Sequence, residues 1–341
     1  MIIRSKAPLR IGLAGGGTDV SPYSDLYGGM ILNATIDLYA RASIEPSTDG
    51  KIILHSIDME EMQELDSQPE LSLDGGLVIL KGVYNRVVKD FIKKPLSFKL
   101  TTNVDVPKGS GLGSSSTITV AILGAFVEWL NLPLGEYDIA KLAYDIERKD
   151  LKMAGGKQDQ YAATFGGFNF MEFYADDKVI VNPLRIKSDY LNELEHNILI
   201  YYTGTSRLSG QIIEKQAENF SKKSDNALEA AHKLKEQAVM MKEALLMGQI
   251  HKIGDILDFG WQYKKQTAGG VSSPLIDELY TKAREAGASG GKISGAGGGG
   301  FMMIYAPGNA RYSVIKALEP YGGLFYPFDF THEGLTTWTT K

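Results

Sequence analysis

Apolar positions along the chain change period several times, and the changes mark its elements. Leu9, Ile11 and Leu13 alternate with Arg10, Gly12 and Ala14, which is strand period, so Arg10 is predicted to point away from the apolar face. A β-rich run follows over 30–44, and 52–54 reads as another strand. Residues 58–76 carry many carboxylates and end in Gly75-Gly76, so they read as surface and loop. Leu80, Val83, Tyr84, Val87, Val88 and Phe91 share one side of a helix predicted over 77–92. Alternation returns at Leu96, Phe98 and Leu100 and continues through Val104 and Val106. Residues 118–130 are apolar almost all round, with Glu128 the only charge, and predict a buried helix. A helix over 137–151 puts Ile139, Leu142, Ala143 and Ile146 on its core side, with Glu147 flanking that face. Residues 165–174 and 198–202 read as strands. From Ser206 to Lys265 the chain is charged and strongly helical, with breaks near 221–224 and 248. Ser273-Pro274 opens a further helix that stops at Gly287, and 301–305 is a strand. The change in composition places a domain boundary around 185–205.

Three glycine-rich turns punctuate this pattern, each at an element junction. The first is Gly15-Gly16-Gly17-Thr18-Asp19. The second, between the strand ending near Val106 and the buried helix, has glycines at 109, 111 and 113 and hydroxyl residues at 114–117. The third runs over 290–300 and leads into the strand at Phe301. Glycines let a backbone turn tightly and approach a ligand closely, and the free N–H groups of a helix start attract anions. The second turn therefore predicts a phosphate cradle, in which Ser114 and Ser116 are read as helix caps. A smaller turn, Ala154-Gly155-Gly156-Lys157-Gln158-Asp159-Gln160, presents polar groups.

Composition narrows the function. With 43% hydrophobic and 23% charged residues among 341, the chain can bury an ordinary core. A net charge of −5 and the lack of a basic run argue against nucleic acid as partner. The absence of cysteine excludes a disulfide framework and a thiolate metal site. The N-terminus enters a strand pattern directly and no segment is long and apolar enough to span a membrane, so a cytoplasmic protein is expected.

Familiar motifs fail on context. Gly295, Gly297 and Gly300 satisfy G-x-G-x-x-G, but a dinucleotide site needs a strand before and a helix after, and here a helix is predicted before and a strand after. Gly287-Ala288-Ser289-Gly290-Gly291 satisfies G-x-S-x-G without the strand-turn-helix of a nucleophile elbow. No P-loop lysine motif occurs, and the five histidines have no metal-ligand spacing. What survives is a set of three glycine turns with Arg10, Asp19, Glu147, Asp159 and the hydroxyls at 114–117. Phosphoryl transfer needs those parts: backbone N–H groups on phosphates, oxygen ligands for magnesium, a carboxylate near the attacking hydroxyl, and a cation.

Three motifs now stand in order: 7–19, 107–116 (close to P-x-x-x-G-L-G-S-S-A) and 292–301. Together they resemble those of the GHMP kinases, which include galactokinase, homoserine kinase, mevalonate kinase and phosphomevalonate kinase. The resemblance covers essentially the whole chain. It implies an α+β fold of two domains, a ribosomal-protein-S5-like N-terminal domain (1–190) and a ferredoxin-like C-terminal domain (191–341), with ATP in the cleft between them. Residues 13–23 and 155–163 look like the sugar-1-kinase branch that phosphorylates D-glycero-D-manno-heptose 7-phosphate at its anomeric hydroxyl, a step toward nucleotide-activated heptose. Fucokinase is similar in both stretches and is the second reading, and a non-catalytic sugar or nucleotide sensor on the same fold is the alternative of another class. Leu9 departs from the glycine of many relatives. Gly16 and Gly17 replace an acidic residue and a histidine of galactokinase, which argues against galactose.

By the same resemblance, Asp159 matches the catalytic aspartate and Arg10 its basic partner; a neighbouring cation favours the ionised carboxylate. Pro107, Gly109, Gly111, Leu112, Gly113, Ser114, Ser115 and Ser116 would hold the ATP phosphates, and Ser115 with Glu147 would ligate Mg2+. Asp19, helped by Thr18, would hydrogen-bond the sugar beside Gly16, Gly17, Gly155 and Gly156. Gly295, Ala296 and Gly297 would touch substrate or phosphates through backbone amides. Read as residues alone, Asp19 and Asp159 are equally turn-capping aspartates, Arg10 a surface strand residue, Glu147 a solvated helix face and 295–297 a packing turn. A sugar phosphate would need a basic pocket, for which Arg4, Lys6, Lys152, Lys157, Arg185, Lys264 and Lys265 are the candidates. A homodimer is compatible with this reading.

Overall fold

The computed structural model describes residues 1–204 and 209–340. The first residues of the helical stretch predicted from Ser206, and residue 205 of the boundary window, lie outside the described residues.

The larger sheet has the strand order β12-β1-β2-β5-β3-β4, made of β1 (Ile2–Ala14), β2 (Gly29–Pro46), β3 (Lys51–Ser56), β4 (Glu61–Asp66), β5 (Phe98–Val104) and β12 (Thr336–Thr340). The long β2 pairs with β5 through its second half and with β6 (Phe168–Phe173) through its first, and β6 pairs in turn with β7 (Val179–Pro183). Helices α2 (Val78–Val87), α3 (Ser114–Leu130), α4 (Glu136–Asp145) and α5 (Gln158–Phe165) accompany this sheet. In α3 every residue from Ser116 to Phe126 is buried, as its all-round apolar sequence requires. Phe126 and Phe98 meet edge to face, with ring centroids 5.4 Å apart. Truncating Phe126 to alanine would cost about 3–5 kcal/mol by opening a cavity in this core.

A short helix, α1 (Tyr23–Tyr27), follows the first glycine turn. The second half contains α6 (Ser188–Asn197), β8 (Ile198–Tyr202), α7 (Ser209–Ser221), α8 (Asp225–Leu246), α9 (Ile253–Thr267), α10 (Pro274–Glu285), β9 (Gly290–Ile293), β10 (Phe301–Tyr305), α11 (Ala310–Leu318) and β11 (Leu324–Tyr326). Its sheet has the order β11-β8-β10-β9, all antiparallel, with helices between β8 and β9 and between β10 and β11. That is the ferredoxin-like arrangement. Ser273 caps α10, accepting from the Ile276 N–H at 3.4 Å, with Pro274 in the first turn.

The two halves are not separate along the chain. β12, from the extreme end of the second half, pairs antiparallel with β1 over Ile2–Lys6. Leu9, Ile11 and Leu13 share one core with Ala238 and Met241 of α8 and with Phe301 and Met303 of β10. Ile3 and Ala7, nearer the start of the same strand, belong to the other core, with α3. The switch coincides with a register irregularity between Pro8 and Leu9, where the pairing passes over Asp37 and Leu38 of β2. Beyond that bulge Arg10 does point away from Leu9 and Ile11, but into the protein, where it is 3% exposed.

Candidate active site

Three glycine turns meet at the inner end of β1. Gly111 has φ +85°, and a Cβ there would lie 2.5 Å from the Ser294 carbonyl oxygen, so only glycine lets the second turn rest on the third. Contacts continue along both turns: the Phe301 N–H donates to the Ser110 carbonyl at 2.9 Å, and Ser294 Oγ donates to the Gly111 carbonyl at 3.0 Å. Gly295 lies against Gly111, Gly297 against Val271, and Ala296 packs on the second-half core. Gly113, also left-handed at φ +80°, is the N-cap of α3, and no side chain caps that helix. This corrects the expectation for Ser114 and Ser116: they stand inside the first turn, leaving its N–H groups unclaimed by hydroxyls.

Arg10 and Asp159 form the floor. Arg10 Nε and Nη2 both reach Asp159 Oδ1 at 2.7 Å, and Nη1 donates to the Gly111 carbonyl at 2.7 Å. Asp159 lies in the first turn of α5, and its Oδ2 has no partner among the described residues. A Cβ at Gly113 would sit 3.3 Å from that oxygen, so the carboxylate abuts the phosphate turn. The buried carboxylate of Asp19 supplies the cap of α5: its Oδ2 accepts from the Lys157 and Gln158 N–H groups at 2.8 and 3.0 Å. Burial pushes the Asp19 carboxyl above the usual carboxylate range. Gly156 makes room for this cap, since a Cβ there would fall 1.9 Å from Asp19 Oδ2, and Gly155 makes room for Arg148. The Thr18 hydroxyl lies 2.8 and 2.9 Å from the Gly15 and Met30 carbonyls, which share its one proton, and accepts from the Met30 N–H, which closes the first turn.

Glu147 is fully buried, not a flanking residue. It lies in a widened π turn, Ile146–Asp150, that continues α4 and rolls the carboxylate inward. Gln160 Nε2 donates to Glu147 Oε2 and to Ser116 Oγ, while Glu147 Oε1 is buried without a partner among the described residues. Burial raises its pKa, against the pull of Arg148. An orphaned carboxylate oxygen beside a serine hydroxyl suits a hard divalent cation such as Mg2+. The serine joined to Glu147 is Ser116; Ser115 lines a neighbouring cavity with Ser114. That cavity, about 260 Å³, is walled by Leu80, Val106, Ile118 and Thr102 and opens beside Lys108.

Two buried lysines cross from the second half to the first turn. Lys264 Nζ donates to the Gly16 carbonyl and Lys292 Nζ to the Gly12 carbonyl, each at 2.8 Å. Burial lowers Lys264 to about 8 and Lys292 to about 7. Sequence reading gave Lys292 and Gln160 no role. A lysine inside a glycine run and a glutamine in a short helix carry no pattern that signals a site.

Both halves match family models: "GHMP kinases N terminal domain" over residues 79–167 and "GHMP kinases C terminal" over 241–321. A D-glycero-alpha-D-manno-heptose 7-phosphate kinase from Campylobacter jejuni is 50% identical over 336 residues, 98% of each chain. An L-fucokinase/L-fucose-1-P guanylyltransferase from Bacteroides fragilis is 28% identical over 89% of this chain but only 34% of its own length. The crystal structure of a D-glycero-D-manno-heptose 1-phosphate kinase from Bacteroides thetaiotaomicron superposes with a TM-score of 0.85 at 46% identity, covering 99% of both chains. Two family models in chain order, and half identity to a kinase along its full length, fit a cleft built from three glycine turns: the chain belongs to the GHMP kinase family.

Proposed function

We propose that this kinase transfers the γ-phosphoryl group of ATP to the anomeric hydroxyl of D-glycero-D-manno-heptose 7-phosphate, giving the 1,7-bisphosphate. The observation that carries the reading is the Arg10–Asp159 pair: one oxygen held by the guanidinium, the other unclaimed against the phosphate turn. Asp159 Oδ2 receives the proton of the C1 hydroxyl as its oxygen bonds to the γ-phosphorus, while the bond to the β-phosphate breaks and ADP leaves. Arg10 orients that carboxylate and, with the N–H groups of the second turn and α3, opposes the charge that builds on the phosphoryl oxygens. The cavity beside Ser114 and Ser115 takes the adenine against Leu80, Val106 and Ile118. Mg2+ would be held by Glu147 with the serine hydroxyls at 115 and 116, and would neutralise phosphate charge. Asp19 keeps the N-terminus of α5 in place and offers its second oxygen to the sugar.

The test is a panel of acceptors, heptose 7-phosphate, heptose, fucose, galactose and mevalonate, with ATP consumption as readout. Turnover of heptose 7-phosphate far above the others is the expected result. Turnover of fucose with none of the heptose phosphate would move the assignment to a fucokinase, and tight binding of ATP and sugar without product would make the protein a sensor.

A further inference from the structure

The first glycine turn holds more buried positive charge than the phosphoryl-transfer chemistry uses. Lys264 and Lys292 are 4% and 7% exposed. Each ammonium has three donors, and each spends one on a carbonyl, of Gly16 and Gly12 respectively. Neither forms an ion pair with a carboxylate among the described residues. Asp19 is the one carboxylate that offsets Lys264 at longer range, and Arg10 adds a third cation. Isolated buried ammoniums are costly, so a site that keeps two of them is built for an anion.

Geometry puts both ammoniums around one residue. Lys264 Nζ is bonded to the Gly16 carbonyl, and a Cβ on Gly16 would lie 3.8 Å from Lys292 Nζ. A Cβ on Gly17 would come within 2.7 Å of Lys264 Nζ, so the bare turn is what lets this ammonium sit against it. The buried Gln158 Oε1, without a partner among the described residues, faces Gly12 beside Lys292 and adds an acceptor for a hydroxyl. Gly12 lies two residues beyond Arg10 on the same face of β1, about 7 Å along the strand. Lys292, bonded at Gly12, is thus anchored about one sugar's length along β1 from Arg10.

Other basic candidates are engaged or remote. Lys157 pairs with Asp25 and Asp177 at 3.1 and 3.3 Å, and Lys6 with Glu333 at 3.6 Å. Lys265 lies over the Trp261 ring, and Lys152 and Arg185 are exposed.

We propose that Lys264 and Lys292, converging on Gly16, form the subsite for the non-reacting phosphate of the sugar substrate and so set the preference for a phosphorylated over a free sugar. This rests on the sugar-phosphate reading above. It is tested with Lys264→Met and Lys292→Met, measuring kcat and KM with heptose 7-phosphate and with heptose, and Kd for both and for inorganic phosphate without nucleotide. Each substitution is expected to reduce the kcat/KM ratio between the two sugars by about 10- to 100-fold, through KM, as the loss of a charge-assisted hydrogen bond does. An unchanged ratio, or an equal fall in kcat for both sugars, overturns the proposal and would put the lysines on the transferring phosphoryl group. A wild-type protein that phosphorylates neither sugar overturns the substrate assignment instead, and the binding arm still reads the lysines.

The wild type gives a second reading that does not depend on a variant folding. A phosphate monoester is fully ionised above its second pKa of about 6. The groups facing the lysines are Arg10, Asp19 and each other. With the lysines titrating at about 7 and about 8, the preference for the phosphorylated sugar falls as pH rises from about 7 to about 9. A preference that stays flat over that range overturns the proposal.

Discussion

Glu147→Gln separates what this residue does for the fold from what it does for the reaction. The side chain is fully buried, and one carboxylate oxygen has no partner among the described residues. The other receives the Gln160 amide, and Arg148 stands 3.9 Å away. Burial outweighs that guanidinium and raises the carboxyl pKa. The ionised form is therefore disfavoured in the folded protein: the contribution of Glu147 to stability is full below its unfolded pKa and is lost as pH rises through the folded one. Glutamine is isosteric and neutral and keeps an acceptor for Gln160. What the substitution removes is the buried charge; the amide NH2 takes the place of the orphaned oxygen and is itself unpartnered among the described residues, so the net gain is about 1–3 kcal/mol. For a chain of this size that is roughly 1–4 °C in Tm. Thermal unfolding at neutral pH in the presence of EDTA should show the Glu147→Gln variant melting higher than the wild type, with the gap closing as pH falls toward about 4, the ordinary glutamate range. With excess Mg2+ and ATP the order should reverse, because only the carboxylate gains from the cation, and turnover should fall at least about 100-fold. A variant that melts lower than wild type in EDTA, or keeps full turnover, rules out a buried charge at Glu147 that Mg2+ relieves.

Other substitutions probe the rest of the cleft. Asp159→Asn retains an acceptor for Arg10 but cannot take a proton, so kcat at saturating substrates should fall by about 100- to 10,000-fold with little change in nucleotide affinity, as read by ADP release and nucleotide titration. Gly111→Ala forces a Cβ to 2.5 Å from the Ser294 carbonyl and a left-handed backbone that alone costs about 1–2 kcal/mol; lower Tm and weaker ATP binding together are expected, and unchanged ATP affinity would separate the second turn from the nucleotide. Gly156→Ala drives a Cβ into Asp19 Oδ2 and unseats the cap of α5. Asp159, in the first turn of that helix, should lose position, visible as a fall in kcat larger than any change in KM for ATP.

Where elements carry their own pattern, the sequence predicts them closely. The strand alternation at 9–13, the all-apolar run at 118–130 and the cap of α10 each appear as read, and the alternation at 96–106 forms a strand over Phe98–Val104. The elements it hides are those whose cause lies elsewhere in the chain. α5 follows two glycines and lacks a cap of its own, because Asp19, far away in sequence, supplies it. β4 reads as charged loop because it is the edge of its sheet, where alternating charged residues are common. β9 is half glycine, so the cluster at 290–300 is read as one turn; a strand, not a helix, precedes the G-x-G-x-x-G, and the following strand still excludes a dinucleotide site. β12 is four threonines and a tryptophan at the chain's end, and only its pairing with β1 reveals that the second half closes the first.

The candidate site divides the same way. Arg10, Asp159 and the second turn stand out through residue type and spacing. Glu147 reads as a flanking residue because a regular helix leaves it at the margin, and the π turn that buries it has no signature in the sequence. Lys264 is one of seven basic candidates for a phosphate pocket that the sequence does not rank, and it separates from the others only when the fold lays α9 across the first turn.

Phosphorylation at the anomeric carbon of a sugar that already bears a phosphate is read out by phosphorus NMR of the product from this protein, ATP, Mg2+ and D-glycero-D-manno-heptose 7-phosphate. A second ester signal coupled to the anomeric proton should appear in step with ADP while the 7-phosphate signal persists. A new ester at any other carbon, or ADP formation without a new ester, would rule out anomeric phosphoryl transfer to this sugar.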